Sequence, residues 1–171
     1  MKIVNIVATV KLSAPLDLEY LVGSIPGVIL NPKVHWLQFR LPPENTYIAF
    51  YKSGKFLVTA KSMEKLQKNV DAVLKILKKA KIDVNNAKIE IHNLVMSQTM
   101  DLKSTIEKII PVLDVKKASY EPEQFPALNY KDWGVNFLLF STGKCILTGA
   151  KTEKQASNAF EKFQEILDRC N

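Results

Sequence analysis

Four side chains belong to the two residue types that most often act as metal ligands or strong nucleophiles: His35, His92, Cys145 and Cys170. Neither histidine has a cysteine, a serine or a pair of acidic residues at a spacing that would favour acid–base or nucleophilic catalysis. The cysteines offer no metal-ligand spacing, and the chain lacks a glycine-rich phosphate-binding motif. The sequence therefore predicts a protein that is not an enzyme and that uses neither a metal nor a cofactor.

The remaining chemistry consists of uncharged hydrogen-bonding groups and positive charge, and it occurs twice. Residues 5–7 and 53–61 read NIV and SGKFLVTAK, and residues 93–95 and 142–151 read NLV and TGKCILTGAK. The copies are offset by 88 residues at the asparagines and by 90 at the final lysines. An internal repeat indicates one supersecondary unit used twice. Two copies imply a pseudo-twofold axis, for which duplex DNA is an obvious two-fold partner.

Composition sets limits on the class of protein. A chain of 171 residues with 47% hydrophobic content can bury a substantial core. Its formal charge of +7 suits a polyanionic partner, although a basic protein without such a partner is an equal alternative. The low cysteine content favours a reducing compartment, and we expect neither a signal peptide nor a membrane-spanning segment.

The elements that must position these residues follow the same order in both copies, 1–84 and 85–171. In the first copy we expect strands at 4–12, 34–41, 46–51 and 55–60, a short helix at 15–22 and turns over 24–32. A long amphipathic helix should begin after Ser62. In the second copy we expect strands at 87–97, 115–120, 127–131, 135–140 and 144–148 and a short helix at 102–110 that Pro111 ends. A last helix should be capped by Thr152 and Gln155.

Two of these strands are apolar on both faces. In the segments 55–59 and 144–148, side chains directed to either face are largely hydrophobic. One face can rest on the long helices, but each copy has too few helices to cover both. The other face is therefore expected to form an exposed apolar binding surface. The alternative is a sandwich in which two sheets pack face to face.

Three segments resemble the TATA-box-binding protein family. They read NIVATV at 5–10, SYEPEQFP at 119–126 and TGKCILTGAK at 142–151, and the resemblance extends over essentially the whole chain. Without an N-terminal extension, the sequence is similar to the archaeal form. The resemblance implies an α+β saddle in which one curved ten-stranded antiparallel sheet carries four helices on its convex face. The concave face would lie in the minor groove of A·T-rich DNA.

The resemblance also implies which residues contact DNA. Because the minor groove of A·T pairs offers only hydrogen-bond acceptors, short uncharged donors above an apolar floor suit it. These base contacts would be Asn5, Val7, Leu57, Thr59, Asn93, Val95, Ile146 and Thr148. Phosphate contacts, which set position and salt dependence, would come from Arg40, Ser53, Lys55, Lys61, Lys131, Thr142, Lys144 and Lys151.

A third set implied by the resemblance consists of wedges that unstack base steps. In the second copy these are Phe125, Phe140, Pro126 and Leu138. The first copy departs from the pattern, because Tyr51 stands at the position of Phe140 and Ala49 at that of Leu138. Either Trp36 or Val34 could match Phe125, or the kink made by the first copy could be weaker.

The function implied is that of a general transcription initiation factor. Such a protein binds and bends double-stranded promoter DNA at a TATA box. It recruits transcription factor B through Glu121 and Glu123, and RNA polymerase indirectly. A homodimer could form when DNA is absent. We expect a cytoplasmic, nucleoid-associated protein if the source is archaeal and a nuclear one if it is eukaryotic. The alternative function is a diverged saddle-fold paralogue that serves as a regulatory protein-interaction module with weak or altered DNA specificity.

Overall fold

The computed structural model describes residues 1–170, which contain ten strands and four helices. They divide into two compact units. The first unit comprises residues 5–92, and the second comprises residues 93–170 together with residues 1–4. These units differ from the sequence repeats at 1–84 and 85–171, whose boundaries stay a prediction.

The first unit contains five antiparallel strands in the order β2-β3-β4-β5-β1. Two helices join them: α1, which follows β1, and α2, which follows β5. The elements are β1 Lys2–Lys11, α1 Leu18–Ser24, β2 Ile29–Leu30, β3 Trp36–Leu41, β4 Thr46–Tyr51, β5 Lys55–Ala60 and α2 Met63–Lys79.

The second unit repeats this order, with strands arranged as β6-β10-β9-β8-β7. A short 3-10 turn, Ile110–Val112, follows its first helix. The elements are β6 Lys88–Thr99, α3 Ile106–Ile109, β7 Ala118–Ser119, β8 Ala127–Asp132, β9 Val135–Phe140, β10 Lys144–Ala150 and α4 Glu153–Leu167.

Each unit buries one face of its strands. In β1, Ile6, Ala8 and Val10 are completely buried, and the residues between them are half-exposed. The buried stripe of α2 belongs to the same core and consists of Leu66, Val70, Val73 and Leu77. In the second unit the stripe of α4 contributes Phe163, whose ring stacks on Phe137 of β9 at a centroid distance of 4.4 Å. Hydrophobic burial therefore fixes which face of each strand is turned toward the helices.

Most predicted elements are confirmed, although the strand predicted at 115–120 is limited to Ala118–Ser119. Ser62 and Thr152 cap α2 and α4 as predicted, each accepting a hydrogen bond from a backbone N–H three residues later. The predicted helix at 15–22 begins only at Leu18, because Asp17 caps it by accepting from the N–H of Tyr20. The predicted turn at 24–32 contains the short strand β2. The helix expected at 102–110 is limited to Ile106–Ile109.

The hairpin turns before β5 and β10 each require a glycine. Gly54 and Gly143 adopt φ values of 83° and 82°, which L side chains rarely adopt. A Cβ at Gly54 would lie 2.2 Å from the carbonyl oxygen of Ala14, and one at Gly143 would lie 2.3 Å from that of Met100. The carbonyls of Gly54 and Gly143 also each accept a hydrogen bond at 2.8 Å, from the N–H groups of Leu12 and Met100 respectively. The two turns are therefore held by equivalent contacts in each unit.

Candidate nucleic-acid interface

One strand face of the first unit is left outside the buried core, and we call it the first open face. In β1 and β5 it presents Asn5, Val7, Leu57 and Thr59, all half-exposed, and register pairs Val7 directly with Thr59. The outer strands add Trp36, Gln38, Arg40, Tyr47, Ala49 and Tyr51. All four base-contact residues predicted for the first copy therefore share one face.

The second open face is built in the same way. In β6 and β10 it presents Asn93, Val95, Ile146 and Thr148, all half-exposed. Register then adds the outer-strand residues Asn129, Lys131, Asn136, Leu138 and Phe140. The structure thus brings together the four base-contact residues predicted for the second copy.

A bulge in β10 orients the asparagine of the second open face. Leu147 pairs with Met96 and Ala150 with Leu94, so β10 uses one more residue than β6 between these two pairs. At this bulge Gly149, with a φ of 93°, donates its N–H to Oδ1 of Asn93 at 2.7 Å. The amide oxygen of Asn93 is therefore occupied, which leaves its N–H groups as donors toward an acceptor.

The first open face lacks this bulge. Val58 pairs with Ala8 and Ala60 with Ile6, so the two strands use equal numbers of residues. Gly149 is the additional residue, because the offset between the copies is 89 at Thr59 and Thr148 and 90 at Lys61 and Lys151. Asn5 consequently has no counterpart of the contact that Gly149 makes to Asn93.

The second unit places its predicted wedge residues side by side. Phe125 precedes β8 and is 47% exposed, and its ring meets the edge of Phe140 at a centroid distance of 6.1 Å. Pro126 is also exposed, and Leu138 lies beside Ile146 on the same face. One end of the second open face therefore carries an exposed phenylalanine in contact with a half-buried one.

The first unit arranges its aromatic residues differently. Register places Trp36 opposite Tyr51, where the second unit has Ala127 opposite Phe140, so the position of Phe125 corresponds to Val34. The Trp36 and Tyr51 rings are 5.9 Å apart, and Trp36 donates from Nε1 to the hydroxyl of Tyr47 at 2.9 Å. Burial raises the pKa of Tyr51, with a smaller contribution from Tyr47.

Most of the predicted phosphate-contact residues are exposed. They comprise Arg40, Ser53, Lys61, Lys131, Thr142, Lys144 and Lys151, whereas Lys55 is half-buried. Arg40 donates to the carbonyl of Asn45 at 3.3 Å, and its guanidinium lies 5.1 Å from the centroid of Tyr47. Ser53 and Thr142 lie in the equivalent turns that precede Lys55 and Lys144.

The acidic segment predicted to bind a protein partner lies between β7 and β8. Glu121 and Glu123 are exposed, and the carbonyl of Glu121 accepts from the N–H groups of Gln124 and Phe125, each at 2.9 Å. A tight turn therefore presents both carboxylates next to the aromatic pair.

An ion pair lies at the other end of these two strands. Lys117, which immediately precedes β7, donates to Asp132 at the end of β8 at 3.0 Å. Burial alone would raise the pKa of Asp132, but hydrogen bonds led by that of Lys117 outweigh it and lower the pKa.

Four polar residues of the open faces are not among the predicted contacts: Gln38, Tyr47, Asn129 and Asn136. The amide oxygens of Asn129 and Asn136 are buried and have no hydrogen-bond partner within the protein. Such groups are costly unless something pairs with them. The alternation of β3, β4, β8 and β9 would have identified all four from the sequence, because each is in phase with a predicted contact.

The side chains first considered for catalysis and metal binding are dispersed. His92 is exposed, with Nε2 at 2.7 Å from the hydroxyl of Thr9. Burial raises the pKa of Cys145 to about 12, so its thiol stays protonated. Within residues 1–170, no group of three or more His, Cys, Asp or Glu side chains is placed to bind a metal ion. No helix in the same range has the length and hydrophobicity needed to cross a membrane.

Comparison with known proteins gives consistent matches over the full chain. The family model described as "Transcription factor TFIID (or TATA-binding protein, TBP)" matches residues 1–80 and 88–170. The TATA-box-binding proteins of Sulfurisphaera tokodaii and Sulfolobus acidocaldarius are both 39% identical over 98% of this chain and 86% of their own lengths. The solved structure of Methanococcus jannaschii TBP has a TM-score of 0.87 at 33% identity, covering 98% of each chain. The predicted α+β fold class is thereby confirmed.

Proposed function

The chain belongs to the TATA-binding protein family of transcription factors, and we propose that it binds and bends A·T-rich promoter DNA through the minor groove. Membership of this family also confirms the expectation that the chain is not an enzyme. The observation that supports the proposal most is the repetition of one contact set, in which a donor pair and an apolar pair recur on each open face. The units would each contact one half of the DNA element.

The chemistry of the open faces fits the minor groove of A·T pairs. There the base edges present the acceptors adenine N3 and thymine O2, and guanine adds an amino donor that projects into the groove. Asn93, Thr148 and their counterparts supply donors, while Val95 and Ile146 with their counterparts supply a flat apolar floor. That floor disfavours guanine, because its amino group would lose its water without gaining a partner.

Bending would come from the exposed aromatic residues. Phe125 and Phe140 are already in contact and partly exposed, so they can enter between two bases without unfolding any element. Unstacking a step costs a few kcal/mol, and flexible pyrimidine–purine steps such as TA yield most easily. The lysines around the open faces would hold the phosphates and make binding depend on salt.

We further propose that Glu121 and Glu123 bind transcription factor B, which would bring RNA polymerase to the promoter. The supporting observation is that a basic protein exposes two carboxylates on one tight turn, a surface that suits a basic partner. In an archaeal cell this role places the protein in the cytoplasm on the nucleoid. Without DNA, the apolar open faces could be covered by a second copy, which gives a homodimer.

A second candidate function is that of a regulatory paralogue that binds proteins rather than a TATA box. One observation favours it, namely that the first open face ties Trp36 to Tyr47 and replaces Leu138 by the smaller Ala49. These changes reduce the apolar contact that the first unit can offer to DNA.

Energy transfer across an end-labelled duplex separates the two functions. The duplex carries a TATA-like site, a G·C-rich duplex of equal length serves as the control, and both are titrated at two salt concentrations. Tight, salt-sensitive binding with bending of the A·T-rich duplex alone would support promoter binding. Equal binding to both duplexes, or binding without bending, would reject it in favour of the interaction module.

A further inference from the structure

We infer that Tyr47 acts as a positioning residue that holds the Trp36 ring against the first open face and out of a base step, so that the first unit unstacks bases less than the second. This inference rests on the proposed function, since it concerns how each unit would treat the DNA it contacts. It predicts that the preferred DNA site is asymmetric: only the half contacted by the second unit must contain a base step that unstacks easily.

The first argument is the number of contacts that hold Trp36. Its indole N–H donates to the Tyr47 hydroxyl at 2.9 Å, and its ring lies against Tyr51 with centroids 5.9 Å apart. Tyr47 is itself fixed, because the Arg40 guanidinium lies 5.1 Å from the centre of its ring. To enter a base step, Trp36 must leave the hydrogen bond and the ring contact together.

The second argument is the contrast with the equivalent positions of the second unit. The register places Ala127 where the first unit has Trp36, and Asn136 where it has Tyr47. Ala127 is small and buried, whereas Phe125 is 47% exposed beside Phe140, and its side chain has no hydrogen bond that insertion would break. Val34 stands at the position of Phe125 in the first unit and is a short, half-buried side chain.

The consequence concerns the DNA. Pyrimidine–purine steps unstack readily, whereas A-tracts are stiff. The second unit, with a free aromatic pair, needs a flexible step under Phe125 and Phe140. The first unit, whose tryptophan is held, accepts a stiff A-tract at the corresponding place.

The test uses 2-aminopurine, whose fluorescence rises when it is unstacked. Two duplexes carry the same A·T-rich element, each with the probe at one end step. The increase in fluorescence on binding is added for the two duplexes, and this sum does not depend on the orientation in which the protein binds the element. Variants Tyr47→Phe, Trp36→Ala and Phe140→Ala are compared with the wild type at saturating protein, after circular dichroism has shown that each is folded. Tyr20→Phe is the matched control, since it removes a hydroxyl that donates to Ala80 on the helix side of the same unit.

We expect Phe140→Ala to remove more than about half of the summed rise, because the second unit causes most of the unstacking. Tyr47→Phe should increase the sum by freeing Trp36, Trp36→Ala should not decrease it, and Tyr20→Phe should leave it unchanged. The inference is overturned if Trp36→Ala lowers the sum as much as Phe140→Ala, or if Tyr47→Phe has no effect. A wild-type protein that does not bind the A·T-rich duplex at all would instead overturn the proposed function itself.

Discussion

The amide of Asn93 shows how one backbone contact can prepare a side chain for recognition. Because Oδ1 accepts from the N–H of Gly149, the orientation of the amide is set, and its N–H groups are directed away from Gly149. An asparagine without such a contact could turn either its oxygen or its nitrogen outward. In the proposed complex, the second unit would therefore already direct donors toward the acceptors of A·T pairs.

Replacing Asn93 by aspartate should invert this preference. Asn93→Asp keeps an oxygen for Gly149 but turns a second acceptor outward, toward the adenine N3 or thymine O2 acceptor. We expect the ratio of A·T-rich to G·C-rich affinity to fall about tenfold or more, since a lost base contact costs about 1–3 kcal/mol. Titrations of both duplexes measure the ratio. Gln38→Glu adds the same charge to the first open face and should weaken both affinities while preserving the ratio; an equal fall in that control would attribute the effect to charge.

Lys144 is exposed in the strand that follows the Gly143 turn, and its proposed partner is a phosphate. Removing one phosphate contact releases one counterion fewer, so Lys144→Ala should flatten the slope of log K against log salt by about one unit. It should weaken A·T-rich and G·C-rich binding alike. Lys78→Ala, on the exposed side of α2, is the control and should leave the slope unchanged. A slope unaltered by Lys144→Ala would exclude the phosphate contact.

At the level of elements, the most constrained points are the turns before β5 and β10. A Cβ at residue 143 meets the backbone carbonyl of Met100, and the positive φ adds strain that only glycine avoids. Gly143→Ala should therefore lower the free energy of unfolding by about 2 kcal/mol or more. Urea denaturation followed by circular dichroism measures it.

Gly23→Ala is the matched control, because nothing lies within 4 Å of a Cβ at residue 23 and its φ is not in the positive range. A stability change no larger than that of the control would mean that the Met100 segment can move aside.

The sequence was sufficient to predict those helices and strands that follow from periodicity or from helix capping alone. The helix caps at Ser62 and Thr152, the stripe of α2 and the central strands all follow from periodicity and capping. The strand β2 did not, because Ile29 and Leu30 form a strand only by pairing with β3 and carry no alternation of their own. The bulge at Gly149 was visible only as a one-residue change in offset.

Part of the candidate site could be predicted from the sequence, and part of it could not. Alternation is enough to place Asn93, Val95, Ile146 and Thr148 on one face, since each strand has a period of two. It is not enough to locate Trp36, because the neighbour of Trp36 depends on the register of β3 against β4. Only the paired strands show that Trp36 lies opposite Tyr51 and bonds to Tyr47.

Over the whole molecule, charge separates two proposed partners. The formal charge is +7, yet the turn after β7 carries two exposed carboxylates. DNA would be held by the lysines and a basic protein by this turn, so the two interactions should respond to different substitutions.

Reversing both charges in Glu121→Lys/Glu123→Lys should abolish the ternary complex with transcription factor B while DNA binding persists or strengthens. Gel-shift titrations with and without the factor distinguish the two steps. The control Glu161→Lys/Glu165→Lys reverses two exposed charges on α4 and should retain the complex. Loss of DNA binding in the turn variant would point to damaged folding, and a surviving complex would remove these glutamates from the interface.

The bulge at Gly149 also bears on how the two copies can change in length. A bulge accommodates one additional residue between two paired positions of a strand, and the pairing on either side of it is unchanged. A deletion of residue 149 would therefore convert the second copy toward the regular pairing of the first. One residue can therefore be added to or removed from this strand while the surface around it stays in register.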